Sequence, residues 1–194
     1  MIADGKRGDV PVTAAAYGQA LFGSTPTPWG EVPGIGADAA TANPLLGADA
    51  LEPLLEAAAA AGAGVFVLVR TSNPGAGDLF DLPAPREPLY ERIAALVAAR
   101  AGRLAGSTGV SGVGAVVGAT EPAHLGRLRD LMPDSVFLVP GVGAQGGSVG
   151  DLGPALGRSR ASLLVTASRS IAGAADPRAA AEDVRSRAWA LEPR

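Results

Sequence analysis

The chain alternates between short, almost wholly apolar runs and longer runs whose apolar residues have helical spacing. Residues 64–70 form the clearest apolar run, which is typical of a strand buried on both faces. The other predicted extended segments are residues 1–6, 37–42, 113–118, 135–139 and 161–166. Helices are predicted at residues 10–22, 48–61, 88–104, 121–131 and 177–191, and loops rich in Gly and Pro at 24–36 and 74–87.

This alternation predicts six strand-then-helix units, with parallel strands joined by right-handed crossovers. Polar residues follow every strand instead of gathering at one switch point, which favours an α/β fold of the (β/α)8 barrel type over a doubly wound sheet. A full barrel has eight units and typically about 250 residues, whereas this sequence has 194. We therefore expect one domain, residues 1–194, with about six of the eight units. The two absent units are expected at the N-terminal side, because only three residues precede Asp4 in the first strand.

Composition narrows the possible chemistry. The 16 Lys and Arg residues nearly balance the 19 Asp and Glu residues, so neither nucleic acid nor an anionic membrane is an expected partner. The chain has no Cys and a single His, His124, which excludes thiol nucleophiles and Cys-rich zinc sites. Its longest apolar run, residues 57–69, is too short to cross a bilayer, and no signal peptide opens the chain, so a cytoplasmic protein is predicted. On the helix at 121–131, His124, Arg127 and Arg129 are predicted to be solvated.

The first charged segment is the hexad at residues 4–9, in which two acids bracket one lysine. If this segment is extended, Asp4 and Lys6 project to the same side, and Asp9 lies in the turn beyond. Such a cluster is either a solvated surface turn or part of a site in which neighbouring charges shift the pKa values of ionisable groups. The hexad alone leaves both interpretations open.

A second segment suggests phosphate binding. Residues 140–148 include four glycines between a strand and a short helix, where backbone N–H groups can converge on an oxyanion. A plain flexible loop is the alternative. Phosphate sites of barrels recur after the last two strands, and Arg169 follows the last strand here, where its guanidinium could pair with a phosphate.

Four small polar residues also follow strands: Thr41, Asn43, Ser72 and Asn73. Their side chains offer donors and acceptors that would suit an amide-bearing ring. Residues of these types equally often cap or turn the chain. Both possibilities remain open at this point.

Taken in order, six segments of the chain resemble the orotidine 5'-phosphate decarboxylase family, in its bacterial second subgroup. They are DGKRGDV with Thr13 after it, TANP, RTSNPG, VGAT, PGVGAQGG and SRS, which begin at residues 4, 41, 70, 117, 140 and 168. An ordered set that extends over most of the chain is far more specific than a lone glycine motif.

The resemblance implies a homodimeric barrel that converts orotidine 5'-monophosphate to uridine 5'-monophosphate in pyrimidine biosynthesis, without metal or organic cofactor. Lys6 would be the proton donor, with Asp4 beside it. Asp9, Val10 and Thr13 would reach across the dimer interface into the neighbouring site.

The resemblance also assigns the binding residues. Ser72 would hydrogen-bond the pyrimidine, and Asn73 would also bind the substrate, as would Val10 and Thr13. The phosphate would be held by Gln145, Gly146, Gly147 and Arg169. Two alternatives stay open: a non-catalytic open barrel that pairs with another chain or acts as a scaffold, and a magnesium-dependent sugar-phosphate decarboxylase or aldolase that shares the acid-lysine-acid element.

Overall fold

The computed structural model describes residues 1–83 and 86–192. The strands are β1 (Ile2–Arg7), β2 (Ser24–Thr27), β3 (Gly30–Pro33), β4 (Ala39–Ala42), β5 (Gly64–Arg70), β6 (Ser111–Val117), β7 (Ser135–Val139) and β8 (Leu163–Val165). The α-helices are α1 (Pro11–Phe22), α2 (Ala48–Ala61), α3 (Leu89–Ala98), α4 (Pro122–Leu131), α5 (Arg169–Ala172) and α6 (Pro177–Trp189). Short 3-10 helices lie at Pro74–Asp78, Ala101–Leu104, Val149–Ala155 and Arg160–Ser162.

Six strands form one parallel sheet in the order β1-β4-β5-β6-β7-β8. Strand β5 is buried on both faces, as its uninterrupted apolar run predicted. Val65, Val67 and Val69 pack with the helices in the larger core cluster, whereas Phe66 and Leu68 pack in a smaller cluster on the opposite face. The prediction of about six strand-then-helix units of a barrel-type sheet is confirmed.

Two local predictions were wrong. Residues 24–36 contain a β-hairpin in which Ser24 pairs with Pro33 and Thr27 with Gly30. Prolines are tolerated there because a two-stranded ribbon has free edges that need no ladder donor. The helix predicted at 88–104 stops at Ala98, and the Arg100 guanidinium donates to the Leu96 carbonyl at the end of α3, so that the chain turns away before its 3-10 segment.

The prediction that Arg129 is solvated was also wrong. Its side chain is buried beneath the sheet, and its guanidinium lies 3.7 Å over the Phe137 ring. Its N–H groups donate to backbone carbonyls directly after its own helix, at Met132 and Pro133, and to carbonyls of other segments, at Ser135, Ala155 and Ser162. Burial lowers the pKa of Arg129 to about 10, which still leaves the guanidinium charged at neutral pH.

On the same helix, His124 is half-buried with its ring 4.8 Å from that of Tyr90, so it is less solvated than predicted. Arg127 is exposed and pairs with the buried carboxylate of Glu91 at 2.6 Å. Helical periodicity therefore identified the face of α4, but it did not identify the partners of its polar residues.

Candidate functional site

The first strand is irregular where the hexad lies. Ala3 pairs with Ala40 and Arg7 with Ala42, so three residues of β1 stand opposite Thr41 alone. Such a bulge interrupts the ladder and redirects side chains, and bulges are frequent beside active sites. Here it lies at the carboxyl ends of parallel strands, where barrel enzymes place their chemistry.

Lys6 has a left-handed backbone conformation within this bulge. Its φ of 48° makes it the only non-glycine residue with positive φ among residues 1–83 and 86–192. That conformation costs roughly 1–2 kcal/mol for a residue with a Cβ atom. The surrounding contacts must therefore hold Lys6 in place, and such strain is concentrated at functional sites.

The charged groups of the hexad come together as an ion pair. The Lys6 Nζ atom lies 2.7 Å from both carboxylate oxygens of Asp4, and the Thr41 hydroxyl donates to Asp4 Oδ1 at 2.8 Å. The hydrogen bond from Lys6 is the main reason why the pKa of Asp4 lies below its usual value; partial burial opposes it and Thr41 assists it. The structure thus places Asp4 and Lys6 on one side, with an ammonium fixed against a carboxylate.

This ion pair lines a cleft of about 740 Å³, which is within the size range of ligand sites. Apolar side chains of the sheet, including Leu68 and Leu138, form one part of its wall. Ser72, Asn73 and Gln145 form another part. The cleft therefore combines an apolar surface with a few polar groups.

The loops after β5 and β7 meet at this cleft. The Ser72 hydroxyl donates to Gln145 Oε1 at 2.7 Å, although the two residues are 73 positions apart in the chain. Gly118 and Gly141 allow this approach, because a Cβ atom on either would lie 2.7 or 2.8 Å from atoms of Ser72. Arg169, the first residue of α5, joins Ser72, Asn73 and Gln145 around an adjoining cavity of about 480 Å³.

The glycine-rich loop itself differs from the expected N–H cradle. The N–H of Gly146 donates to the Gly143 carbonyl, and the N–H of Gly147 donates to the Gly141 carbonyl. These two groups are used inside the loop and do not converge on an oxyanion in this conformation. A phosphate here would depend mainly on the side chains of Gln145 and Arg169.

The structure places Asp9, Val10 and Thr13 away from the cleft. They lie after the bulge and in the first turn of α1, where Asp9 Oδ1 accepts the Val10 N–H and the Val10 side chain is exposed. None of these three is among the described residues that line the cleft with Lys6. Their expected role across a dimer interface stays a prediction.

Sequence reasoning missed the contacts of Arg70. This buried guanidinium donates to both carboxylate oxygens of Asp81, at 3.1 and 2.9 Å, and to the Thr71 carbonyl at 2.7 Å. It therefore ties the beginning of the loop after β5 to Asp81 in the interior of the same loop, which also carries Ser72 and Asn73. The one available signal was a charged residue directly after a fully apolar strand.

Comparison with known proteins identifies the family of this chain. The profile of the orotidine 5'-phosphate decarboxylase / HUMPS family matches residues 1–184. The chain belongs to this family. Among its relatives, the orotidine 5'-phosphate decarboxylase of Rhodopirellula baltica is 45% identical over 174 residues, which are 88% of this chain and 56% of the relative.

Solved structures of the family share the fold. Leishmania donovani OMP decarboxylase is 37% identical with a TM-score of 0.73, over 97% of this chain and 68% of that one. Leishmania donovani UMP synthase is 39% identical with a TM-score of 0.78, over 98% of this chain and 39% of that one. The predicted family and barrel-type fold are thereby confirmed, and the chain spans about half the length of the curated relatives that it matches. Its assignment to the bacterial second subgroup stays a prediction.

Two further observations concern the described part of the chain. No helix within it is long and apolar enough to cross a membrane. The same residues contain no group of three or more His, Cys, Asp or Glu side chains placed to hold a metal ion.

Proposed function

We propose that this chain carries the decarboxylation site of an orotidine 5'-phosphate decarboxylase, which converts orotidine 5'-monophosphate to uridine 5'-monophosphate and carbon dioxide. The observation that carries the proposal is the Lys6 ammonium, held 2.7 Å from both oxygens of Asp4 in the cleft that also contains Ser72 and Gln145. The names of the curated relatives support this reaction over that of a sugar-phosphate decarboxylase or aldolase.

The chemistry follows from the position of the ammonium. When the bond between the ring carbon and the carboxylate breaks, carbon dioxide leaves and the electron pair stays on the ring carbon. A fixed positive charge at that carbon stabilises the pair as it develops, because the group is already in place and need not reorganise. The pair then takes a proton from Lys6, which solvent restores. Asp4 holds the Lys6 ammonium in position through the two short contacts to its carboxylate oxygens.

The other end of the cleft would bind the rest of the nucleotide. Ser72 and Asn73 would hold the pyrimidine, and Gln145 and Arg169 the phosphate, with Gly146 and Gly147 shaping that loop. Contacts far from the reacting carbon supply binding energy that can orient the substrate. Ser72 donates to Gln145, so the groups proposed for the pyrimidine and for the phosphate adjoin each other, as the parts of one nucleotide require.

For the assembly, we propose a homodimer with shared sites in the cytoplasm, acting on a small nucleotide. Asp9, Val10 and Thr13 would contact the neighbouring site. Val10 and Val12 support this proposal, because these residues are 51% and 79% exposed at the start of α1, directly after the bulged strand in the chain. Apolar residues exposed together mark interaction surfaces more often than isolated ones do.

A turnover assay tests the proposed function. Purified chain is mixed with orotidine 5'-monophosphate, and the loss of ultraviolet absorbance by the orotate ring is followed. We expect turnover, a decrease of about a thousandfold or more in Lys6→Ala, and little change in binding of the nucleotide product. Arg187→Ala, which removes an exposed arginine of α6, is the control and should keep full activity. Nucleotide binding without turnover would favour the non-catalytic alternative, and unchanged turnover in Lys6→Ala would refute the role of Lys6.

A further inference from the structure

Thr41 is a buried polar residue at the bulge, and only 2% of it is exposed. Its hydroxyl oxygen accepts the Lys6 backbone N–H at 2.9 Å, and the same hydroxyl donates to Asp4 Oδ1 at 2.8 Å. A hydroxyl has one proton to donate. The two contacts therefore fix its orientation, with the proton directed at the carboxylate.

The hydrogen bond from the Lys6 N–H to the Thr41 hydroxyl replaces a backbone hydrogen bond that the bulge disrupts. Because β1 has two extra residues at this point, Lys6 loses the regular register with β4. A backbone N–H without a partner is costly wherever water is excluded. The Thr41 hydroxyl supplies the acceptor that a ladder carbonyl would otherwise supply, and it does so for the residue with the strained φ.

Thr41 itself is firmly held. Its strand pairs in regular parallel register with β5, with Ala40 opposite Val65, Thr41 opposite Phe66 and Ala42 opposite Val67. The hydroxyl thus projects from the ordered interior of the sheet toward its irregular edge strand. It connects the backbone of Lys6 and the carboxylate of Asp4 to one rigid point.

We propose that Thr41 is a positioning residue for the decarboxylation site, whose hydroxyl holds the strained Lys6 backbone and the Asp4 carboxylate in the arrangement that fixes the ammonium. This inference rests on the proposed function for its catalytic consequence. Its structural part concerns only the three residues and can be measured without turnover.

Thr41→Val is the decisive variant, since valine keeps the shape and removes the hydroxyl. Thr41→Ser keeps the hydroxyl and removes a methyl group. Thr27→Val is the matched control, because the Thr27 hydroxyl also makes one donated and one accepted hydrogen bond, to Gly30 and from Trp29, at the tip of the β2–β3 hairpin. Melting temperatures show that each variant is folded.

Three measurements are then compared: hydrogen exchange of the Lys6 amide, the pKa of the Asp4 carboxyl from its NMR titration, and kcat and KM for orotidine 5'-monophosphate. In Thr41→Val we expect at least about tenfold faster exchange of the Lys6 amide, a higher pKa of Asp4, and a decrease in kcat of about tenfold with little change in KM. Thr41→Ser and Thr27→Val should resemble the unsubstituted protein in all three.

The proposal is overturned if Thr41→Val leaves both the Lys6 exchange rate and the Asp4 pKa unchanged. It is also overturned if Thr41→Ser loses as much as Thr41→Val, because the methyl group and not the hydroxyl would then be responsible. Should Thr41→Val not fold, Thr41→Ser is compared with the unsubstituted protein, and a loss in any of the three measurements overturns the proposal, because serine keeps the hydroxyl. Absence of turnover in the unsubstituted chain would count against the proposed function only, since the first two measurements do not depend on it.

Discussion

Replacement of Arg129 by methionine should destabilise the protein strongly without acting through the cleft. The guanidinium makes three hydrogen bonds of 2.7–2.9 Å to the carbonyls of Ala155, Met132 and Ser135, and two longer ones to Pro133 and Ser162. Each hydrogen bond from a charged donor is worth about 1.5–3 kcal/mol, and the cost of burying the charge offsets part of that sum. Methionine fills much of the side-chain volume and can still contact the Phe137 ring.

The net loss should therefore be about 3 kcal/mol in the free energy of unfolding, mainly from carbonyls left without donors. For a chain of this size that loss corresponds to a decrease of roughly 6–12 °C in the melting temperature. Urea and thermal unfolding, followed by circular dichroism, measure both quantities. Arg185→Met is the control, because the Arg185 side chain is 66% exposed and pairs with Glu182 on α6, and such surface pairs contribute about 0–1 kcal/mol. If Arg129→Met lost no more stability than this control, the assignment of Arg129 as a buried link between segments would be refuted.

Two other substitutions and one titration test the site. Arg70→Met should loosen the loop after β5 and raise KM several-fold with a smaller effect on kcat, because the loop loses the ion pair between the buried Arg70 guanidinium and Asp81. Steady-state kinetics checks this. Gly118→Ala should weaken nucleotide binding and lower stability by about 1–3 kcal/mol, because its Cβ atom would lie 2.7 Å from Ser72; Gly102→Ala, with no atom within 4 Å, should do neither. The Asp4 carboxyl should titrate below its usual range in an NMR experiment.

The sign of the Asp4 effect can be stated. Its pKa is lowered in the folded protein, so the folded state binds fewer protons than the unfolded state near the ordinary carboxyl pKa of about 4. Any stability that this group contributes is fully present above that pH and is lost as the pH falls through the lower folded-state value. The Asp4 side chain is 60% exposed, so solvent screening keeps the contribution small. A titration midpoint at or above the ordinary value would contradict the pairing with Lys6.

Much of the fold could be predicted because burial on both faces leaves a simple pattern. The uninterrupted apolar run from Val65 to Val69 predicts a strand inside the sheet, and the structure has β5 there. Elements whose partners lie far away in the chain could not be predicted. The β2–β3 hairpin contains prolines that are typical of a loop, and the exposed edges that tolerate them are visible only once the strands are paired. Arg129 lies on a helix with other charged residues, and no periodicity indicates that five carbonyls converge on it.

The candidate site likewise has one part that could be predicted from the sequence and another that could not. Spacing alone placed Asp4 and Lys6 on one side, because alternation along an extended segment is a local property. The bulge, the positive φ of Lys6 and the role of Thr41 depend on how β1 meets β4, so the sequence offered no sign of them. Glycine is the residue expected to adopt a left-handed conformation, and Gly5 precedes Lys6, yet the lysine adopts it.

That placement of strain is consistent with the proposed chemistry. A glycine at the bulge would relieve the backbone but would move the reactive side chain to a neighbouring position, on the other face of the strand. The chain instead keeps Lys6 at the strained position and holds it with a buried hydroxyl on one side and a carboxylate on the other. Lys6 is thereby held both at its backbone and at its ammonium. Electrostatic stabilisation of a developing anion requires such a fixed charge.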